Sequence, residues 1–210
     1  MRFANMPKKY ADVSLGDLRT TMYRQKDSVN RIEVAINAMK EYIERFAEMQ
    51  ESGKGLYLYS KEKGSGKTMS VCGLGNALMK AGHRVKFSDA PTILSEIKRT
   101  YEKNIDCEYS ENELLDALVT TEVLIIDDFG TEKVTDWVNE KFYQIINQRY
   151  VNKRVTIYTS NESVDELVYD KRIKDRVLET TFTIKYPEES VRKIIAMKNS
   201  VGLKALAGKE

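Results

Sequence analysis

Between residues 55 and 80 the chain reads as an apolar strand, a glycine-rich turn and a helix, and no other stretch restricts the fold so tightly. The strand is Gly55-Leu56-Tyr57-Leu58-Tyr59, the turn carries Gly64-Ser65-Gly66-Lys67-Thr68, and the helix runs from near Thr68 through Met69 to Lys80. Glycines in such a turn let backbone N–H groups face inward around an anion, and the helix N-terminus adds partial positive charge. This is the phosphate-binding loop of a parallel α/β unit. In it Gly64, Ser65, Gly66 and Met69 belong to the cradle. Lys67 reaches the β- and γ-phosphates of a nucleoside triphosphate such as ATP, and the Thr68 hydroxyl ligates Mg²⁺. The full pattern asks for glycine six residues before the lysine, and Lys61 stands there. A Gly-Lys-Thr tripeptide by itself also suits a basic surface turn between strand and helix.

Two further strands end in polar residues that suit the same site. Thr121-Glu122-Val123-Leu124-Ile125-Ile126-Asp127-Asp128 is an apolar run closing on two carboxylates. Such runs lie inside parallel sheets covered on both faces, and ligands of these sheets bind beyond the carboxyl ends of the strands. Asp127 then emerges where phosphate is held and can carry Mg²⁺, while Asp128 can orient or deprotonate an attacking water. Arg154-Val155-Thr156-Ile157-Tyr158-Thr159-Ser160-Asn161 is β-branched and ends in Thr-Ser-Asn. Asn161 can hydrogen-bond the γ-phosphate or the lytic water, or it can form an Asx turn or cap the next helix.

From Gly55 onward strands and helices alternate. Strands are expected near 55–59, 84–88, 121–127, 154–159 and 181–186. Helices are expected near 67–81, 91–103, 111–119, 136–151, 163–168, 171–178 and 188–199. Alternation of this kind makes a parallel sheet with helices on both faces. Residues 1–27 read as polar and irregular. Val29, Ile32, Ile36, Met39, Ile43 and Phe46 then step by three or four residues, the mark of an amphipathic helix ending near Glu51-Ser52-Gly53. Its stripe either covers the sheet or docks a partner. The expected division is an N-terminal arm and helix over 1–50, a core over 51–200 and a flexible tail over 201–210.

Composition limits the alternatives. With 210 residues and a net charge of +2, one domain is the natural count, and any nucleic-acid surface must be local. Cys72, Cys107 and His83 are too few for a zinc or disulfide framework. No apolar run reaches membrane-spanning length and no signal peptide is visible, so a cytoplasmic protein without a membrane partner is expected.

Several of these residues together resemble a family. Asp127-Asp128-Phe129-Gly130, Glu132-Lys133, Trp137, Asn147-Gln148-Arg149-Tyr150 and Thr159-Ser160-Asn161, with an opening Pro7-Lys8-Lys9-Tyr10, look like the AAA+ ATPases of the DnaC/DnaI helicase-loader type and their IstB-like relatives. The resemblance implies an α/β, parallel-sheet P-loop NTPase core of AAA+ type. About 24 residues follow Tyr186, which implies a truncated or absent C-terminal lid. It implies Asp127 at the Mg²⁺ site, Asp128 as the catalytic acidic residue and Asn161 as the sensor of the γ-phosphate. Arg176, or else Arg172, would reach into a neighbouring subunit's site, although both also suit a solvated helix face. Arg192 would act in cis as a second sensor. The implied function is ATP-dependent loading of a hexameric replicative helicase onto single-stranded DNA, with head-to-tail self-association. The alternative is an IstB-like transposition regulator acting with a transposase on duplex DNA.

Overall fold

The computed structural model describes residues 5–101 and 109–197. Cys107 and the expected tail over 201–210 lie outside the described residues. Three short 3₁₀ turns, Lys8–Tyr10, Leu15–Asp17 and Thr20–Met22, lead into helices α1 (Lys26–Glu44) and α2 (Phe46–Ser52). The order is then β1 (Gly55–Tyr59), α3 (Lys67–Lys80), β2 (Val85–Asp89), α4 (Ala90–Arg99), α5 (Glu111–Thr120), β3 (Val123–Asp127), α6 (Asp136–Val151), β4 (Val155–Ser160), α7 (Lys171–Thr180) and β5 (Thr181–Lys185). Residues 191–197 are helical and are called α8.

The described strands form one five-stranded sheet in the order β2-β3-β4-β1-β5, with every pairing parallel. Side chains alternate across it. Leu56, Leu58, Val123, Ile125, Val155 and Ile157 face a core shared with α1 and α3. Tyr57, Leu124, Ile126 and Tyr158 face one shared with α4, α5, α6 and α7. Both faces are covered, which is why β3 and β4 are apolar without alternation. Because β1, β3 and β4 are adjacent and parallel, their carboxyl ends meet at one edge, beside the N-terminus of α3.

The first sixty residues belong to this core more fully than their composition indicates. The stripe of α1 covers the sheet: Ile32, Ala35 and Met39 are buried, the larger two contributing roughly 2 kcal/mol each. The expected single helix is two, because Arg45 leaves the helical region at φ −101°, ψ 20° and lets Phe46 turn inward. The segment expected to be irregular is short on regular hydrogen bonds but well anchored. Leu15 and Tyr23 are buried in the core, and Asn76 of α3 donates to the carbonyls of Tyr10 and Val13 at 2.9 and 2.8 Å.

The expected helix over 163–168 is a single 3₁₀ turn, Val164–Glu166. Ser163 and Glu166 form a capping box, but Leu167 and Tyr169 are both buried while Val168 is exposed. Alternate burial requires extended backbone, so the turn cannot propagate.

Candidate nucleotide-binding site

The loop between β1 and α3 turns through two left-handed glycines, Gly64 at φ 81° and Gly66 at φ 103°. Gly66 is the N-cap of α3. These conformations are open to glycine and strained for other residues, which accounts for both glycines on physical grounds. Lys61 is not among the described residues with positive φ. Its side chain turns outward to Glu166, 2.5 Å away. A non-glycine residue therefore fits where the full motif has glycine, and its charge is taken up outside the loop.

Lys67 is buried, and burial lowers its pKa, an effect opposed by the charges of Asp128 and Asp127. Its ammonium donates to the Ser60 carbonyl at 3.1 Å and to Asn161 Oδ1 at 3.2 Å. Ser60, also buried, donates through its hydroxyl to the Pro187 carbonyl at 2.8 Å and ties the loop to the chain leaving β5.

At the next position, the Thr68 hydroxyl donates to both oxygens of Asp127, at 3.0 and 3.1 Å. The Thr159 hydroxyl approaches Asp127 Oδ1 at 2.5 Å. Burial holds the Asp127 carboxyl up to about 6; the neighbouring Asp128 charge adds to this, and the two threonine hydroxyls oppose it.

Asp128 differs sharply from its neighbour. Its backbone is left-handed, φ 53°, and its side chain is exposed. The reversal is held by the Asp128 N–H to Thr159 Oγ1 at 3.0 Å and the Phe129 N–H to the Thr159 carbonyl at 2.8 Å. Phe129 is thereby buried against Phe142 and Tyr169. Asp128 is turned outward into the cavity.

These elements enclose a cavity of about 410 Å³, lined by Gly64, Ser65, Gly66, Lys67, Thr68, Met69, Asp128 and Asn161. Tyr10, Val191, Arg192 and Ile195 also line it, with Lys9, Lys63 and Thr131. A larger cavity, about 640 Å³, lies between α1 and the sheet edge β5, but its floor is apolar and remote from the phosphate loop.

The structure thus brings together Gly64, Ser65, Gly66, Lys67, Thr68, Met69, Asp127, Asp128 and Asn161, and it sets Arg192 at the cavity wall. Asn161 does not cap the following turn; Ser163 does. Arg172 and Arg176 do not line the cavity. Arg172 pairs with Asp170 at 3.1 Å, and Arg176 donates to Asn147 Oδ1 at 2.8 Å. Both guanidinium groups lie over the Tyr143 ring. Thr159 is a site residue legible only as part of the polar end of β4. Tyr23, whose hydroxyl donates to the Ser65 carbonyl at 2.6 Å, carries no motif at all.

Comparison with known proteins places this geometry. The family model described as "IstB-like ATP binding protein" matches residues 20–193. The chain is 33% identical over 116 residues to the replicative helicase loader DnaI of Bacillus subtilis (strain 168), covering 55% of this chain and 35% of that protein. It is 25% identical over 145 residues to the replicative helicase loader DnaC of Escherichia coli (strain K12), covering 68% and 56%. The match therefore spans about a third and just over half of the two relatives. The crystal structure of the DnaC helicase loader superposes with a TM-score of 0.71 at 25% identity, covering 86% of this chain and 99% of that one. The fold is that of the AAA+ P-loop NTPases.

Proposed function

The chain belongs to the family of IstB-like ATP binding proteins, and from that premise we propose that it is a Mg²⁺-dependent ATPase of DNA replication that places a hexameric replicative helicase on single-stranded DNA. The observation that carries the ATPase reading is the convergence of Lys67, Thr68 and Asn161 on one cavity at the strand ends, with Asp127 held directly behind it by the Thr68 hydroxyl. The triphosphate lies against the N–H groups of the Gly64–Thr68 loop, with Lys67 opposite the β- and γ-phosphates. Tyr10, Val191 and Ile195 supply an apolar wall suited to a base.

The donor set fits Mg²⁺. A hydroxyl and a carboxylate are hard oxygen ligands, and a buried carboxyl held near 6 gains from a divalent cation beside it. Thr68 and Asp127 would hold the ion, which when bound neutralises charge on the β- and γ-phosphates. Hydrolysis requires a water oxygen to form a bond to the γ-phosphorus while the bond to the bridging oxygen breaks. Asp128, exposed to the cavity, orients that water and accepts its proton. Asn161 reports the γ-phosphate to Lys67 through their shared hydrogen bond. Arg192 meets the phosphates in cis, and Arg176, or Arg172, meets those of a neighbouring subunit in a head-to-tail assembly.

The helicase partner is inferred from the two relatives whose names are replicative helicase loader. Such a partner works in the cytoplasm, and no helix of the described residues is long and apolar enough to cross a membrane. A second reading, a regulator acting with a transposase on duplex DNA, is favoured by the IstB-like family model.

The test is ATP binding and turnover with and without single-stranded DNA, followed by pull-down against a hexameric helicase and a transposase. Lys67→Ala is expected to weaken ATP binding by about 30-fold or more, since it removes a charged donor from a buried site. A variant that binds and turns over ATP as the parent does would remove the phosphate-loop assignment. Capture of the transposase rather than the helicase selects the second reading.

A further inference from the structure

Phosphate binding by a loop depends on where its amides point, and a trans peptide holds its C=O and N–H on opposite sides. Fixing a carbonyl therefore aims the amide of the following residue. Two carbonyls of this loop are fixed from outside it. The Gly64 carbonyl accepts the Val191 N–H at 2.9 Å, which directs the Ser65 N–H away from α8. The Ser65 carbonyl accepts the Tyr23 hydroxyl at 2.6 Å, which directs the Gly66 N–H away from Tyr23. Ser65 and Gly66 both line the cavity, and neither N–H has a hydrogen-bond partner among the described residues.

Tyr23 is itself firmly seated. It is buried, and its hydroxyl lies 3.0 Å from where a Cβ on Gly66 would sit. Burial, with the Glu189 charge behind it, raises its pKa to about 12, so the phenol is a donor at physiological pH. The two residues after it are clamped as well. The Glu189 carboxylate accepts the N–H of Arg24 at 2.9 Å and that of Gln25 at 3.1 Å. Gln25 is the N-cap of α1, so the segment entering that helix and the segment entering α8 are joined above the phosphate loop.

We propose that Tyr23 is a positioning residue of the nucleotide site, its hydroxyl holding the Ser65–Gly66 peptide in the plane that presents the Gly66 N–H to phosphate. The inference rests on the ATP-binding reading. It assigns the segment before α1 a part in the site that no motif marks. A peptide held in that plane by the protein itself spares binding energy that would otherwise go into turning it.

The test is Tyr23→Phe, which keeps the ring in the core and removes only the hydroxyl. ATP and ADP dissociation constants would be measured by titration calorimetry on the parent and the variant, at a temperature where circular dichroism shows both folded. Both constants are expected to rise about five- to tenfold, the effect of losing one positioned hydrogen bond. KM for ATP should rise with them while kcat at saturation stays within about twofold, because Lys67, Thr68, Asp127 and Asp128 are untouched. Glu189→Gln, which weakens the clamp without touching the loop, should give a smaller rise in the same direction. Unchanged dissociation constants, with or without a lower melting temperature, would reduce Tyr23 to a packing residue. A fall in kcat at unchanged affinity would equally overturn the proposal. A parent that binds neither nucleotide would overturn the ATP-binding reading, and this inference with it, an outcome distinct from a variant that matches a binding parent.

Discussion

Asp127 and Asp128 are adjacent carboxylates with opposite surroundings. Asp127 is buried between two threonine hydroxyls and its carboxyl is held up to about 6; Asp128 stands exposed on a left-handed turn. Burial works against Asp127 in the absence of metal. A carboxyl whose folded pKa exceeds its unfolded value takes up protons on folding between about pH 4 and 6, so stability falls as pH rises through that window. Above it the loss is about 2–3 kcal/mol. Asp127→Asn should therefore melt above the parent at pH 7.5 in chelator without nucleotide, and the gap should close towards pH 4.5. Thermal melts across that range check the trend, and a gap independent of pH would assign the gain to packing. For Asp128 the expected change is in chemistry. On the proposed reading Asp128→Asn keeps ATP affinity but slows single-turnover hydrolysis by about 100-fold or more, since it removes a proton acceptor and leaves the phosphate cradle intact. Lost affinity with unchanged turnover of the bound fraction would move Asp128 to the metal site.

Among the elements, α6 is packed on the sheet by Phe142, Ile145 and Ile146, and its Arg149 adds hydrogen bonds to β4 and to the end of α5. Arg149 is 1% exposed, and its guanidinium donates to Thr156 Oγ1 at 2.9 Å and to the carbonyls of Leu118, Thr121 and Val155 at 2.7, 2.9 and 2.5 Å. Burial pushes its pKa down, but the fork of donors matches carbonyls at the C-terminal end of α5, its C-cap Thr121 included, and at the start of β4. Arg149→Lys keeps the charge yet cannot reach all of them. Stability should fall by about 3 kcal/mol, read as a lower urea midpoint at unchanged slope. This fastening illustrates what the chain discloses in advance. The strands and their polar ends were legible because β1, β3 and β4 are buried on both faces and read as apolar runs closing on Asp127 and Asn161. Gly64 and Gly66 were legible because left-handed backbone selects glycine. Less visible were features decided by tertiary contact. The break at Arg45 follows from where Phe46 packs, and the turn at Val164–Glu166 stays short because Leu167 and Tyr169 must both point inward. Thr159 and Tyr23 reach the site across more than thirty residues of chain, and no local spacing encodes such a contact.

Across the whole molecule, on the proposed reading Lys67, Thr68 and Asp128 bind nucleotide and orient water, while Arg172 and Arg176 do not line the cavity. Arg176 is held by Asn147 and the Arg172 carbonyl and lies over the rings of Tyr143 and Tyr150, a support that fixes a guanidinium at the surface of α7. A cation so placed can act on phosphate only if a second copy brings its own cavity to it. Such a contact joins two different surfaces, so it is heterologous and builds rings or open helices rather than closed pairs. Turnover per subunit should then rise with protein concentration, or on single-stranded DNA that lines subunits up. The decisive case mixes two inactive variants. Arg176→Ala keeps an intact nucleotide site but lacks the cation; Lys67→Ala keeps the cation but lacks a working site. Where an Arg176 of one variant faces the site of the other, one complete centre is restored, and activity should return to up to about a quarter of the parent's at equal mixing, the statistical share of such interfaces among randomly assembled neighbours. Light scattering would establish that mixed assemblies form. If they form under conditions where the parent turns over ATP and the mixture stays inactive, Arg176 acts within its own subunit or only holds α7 to α6.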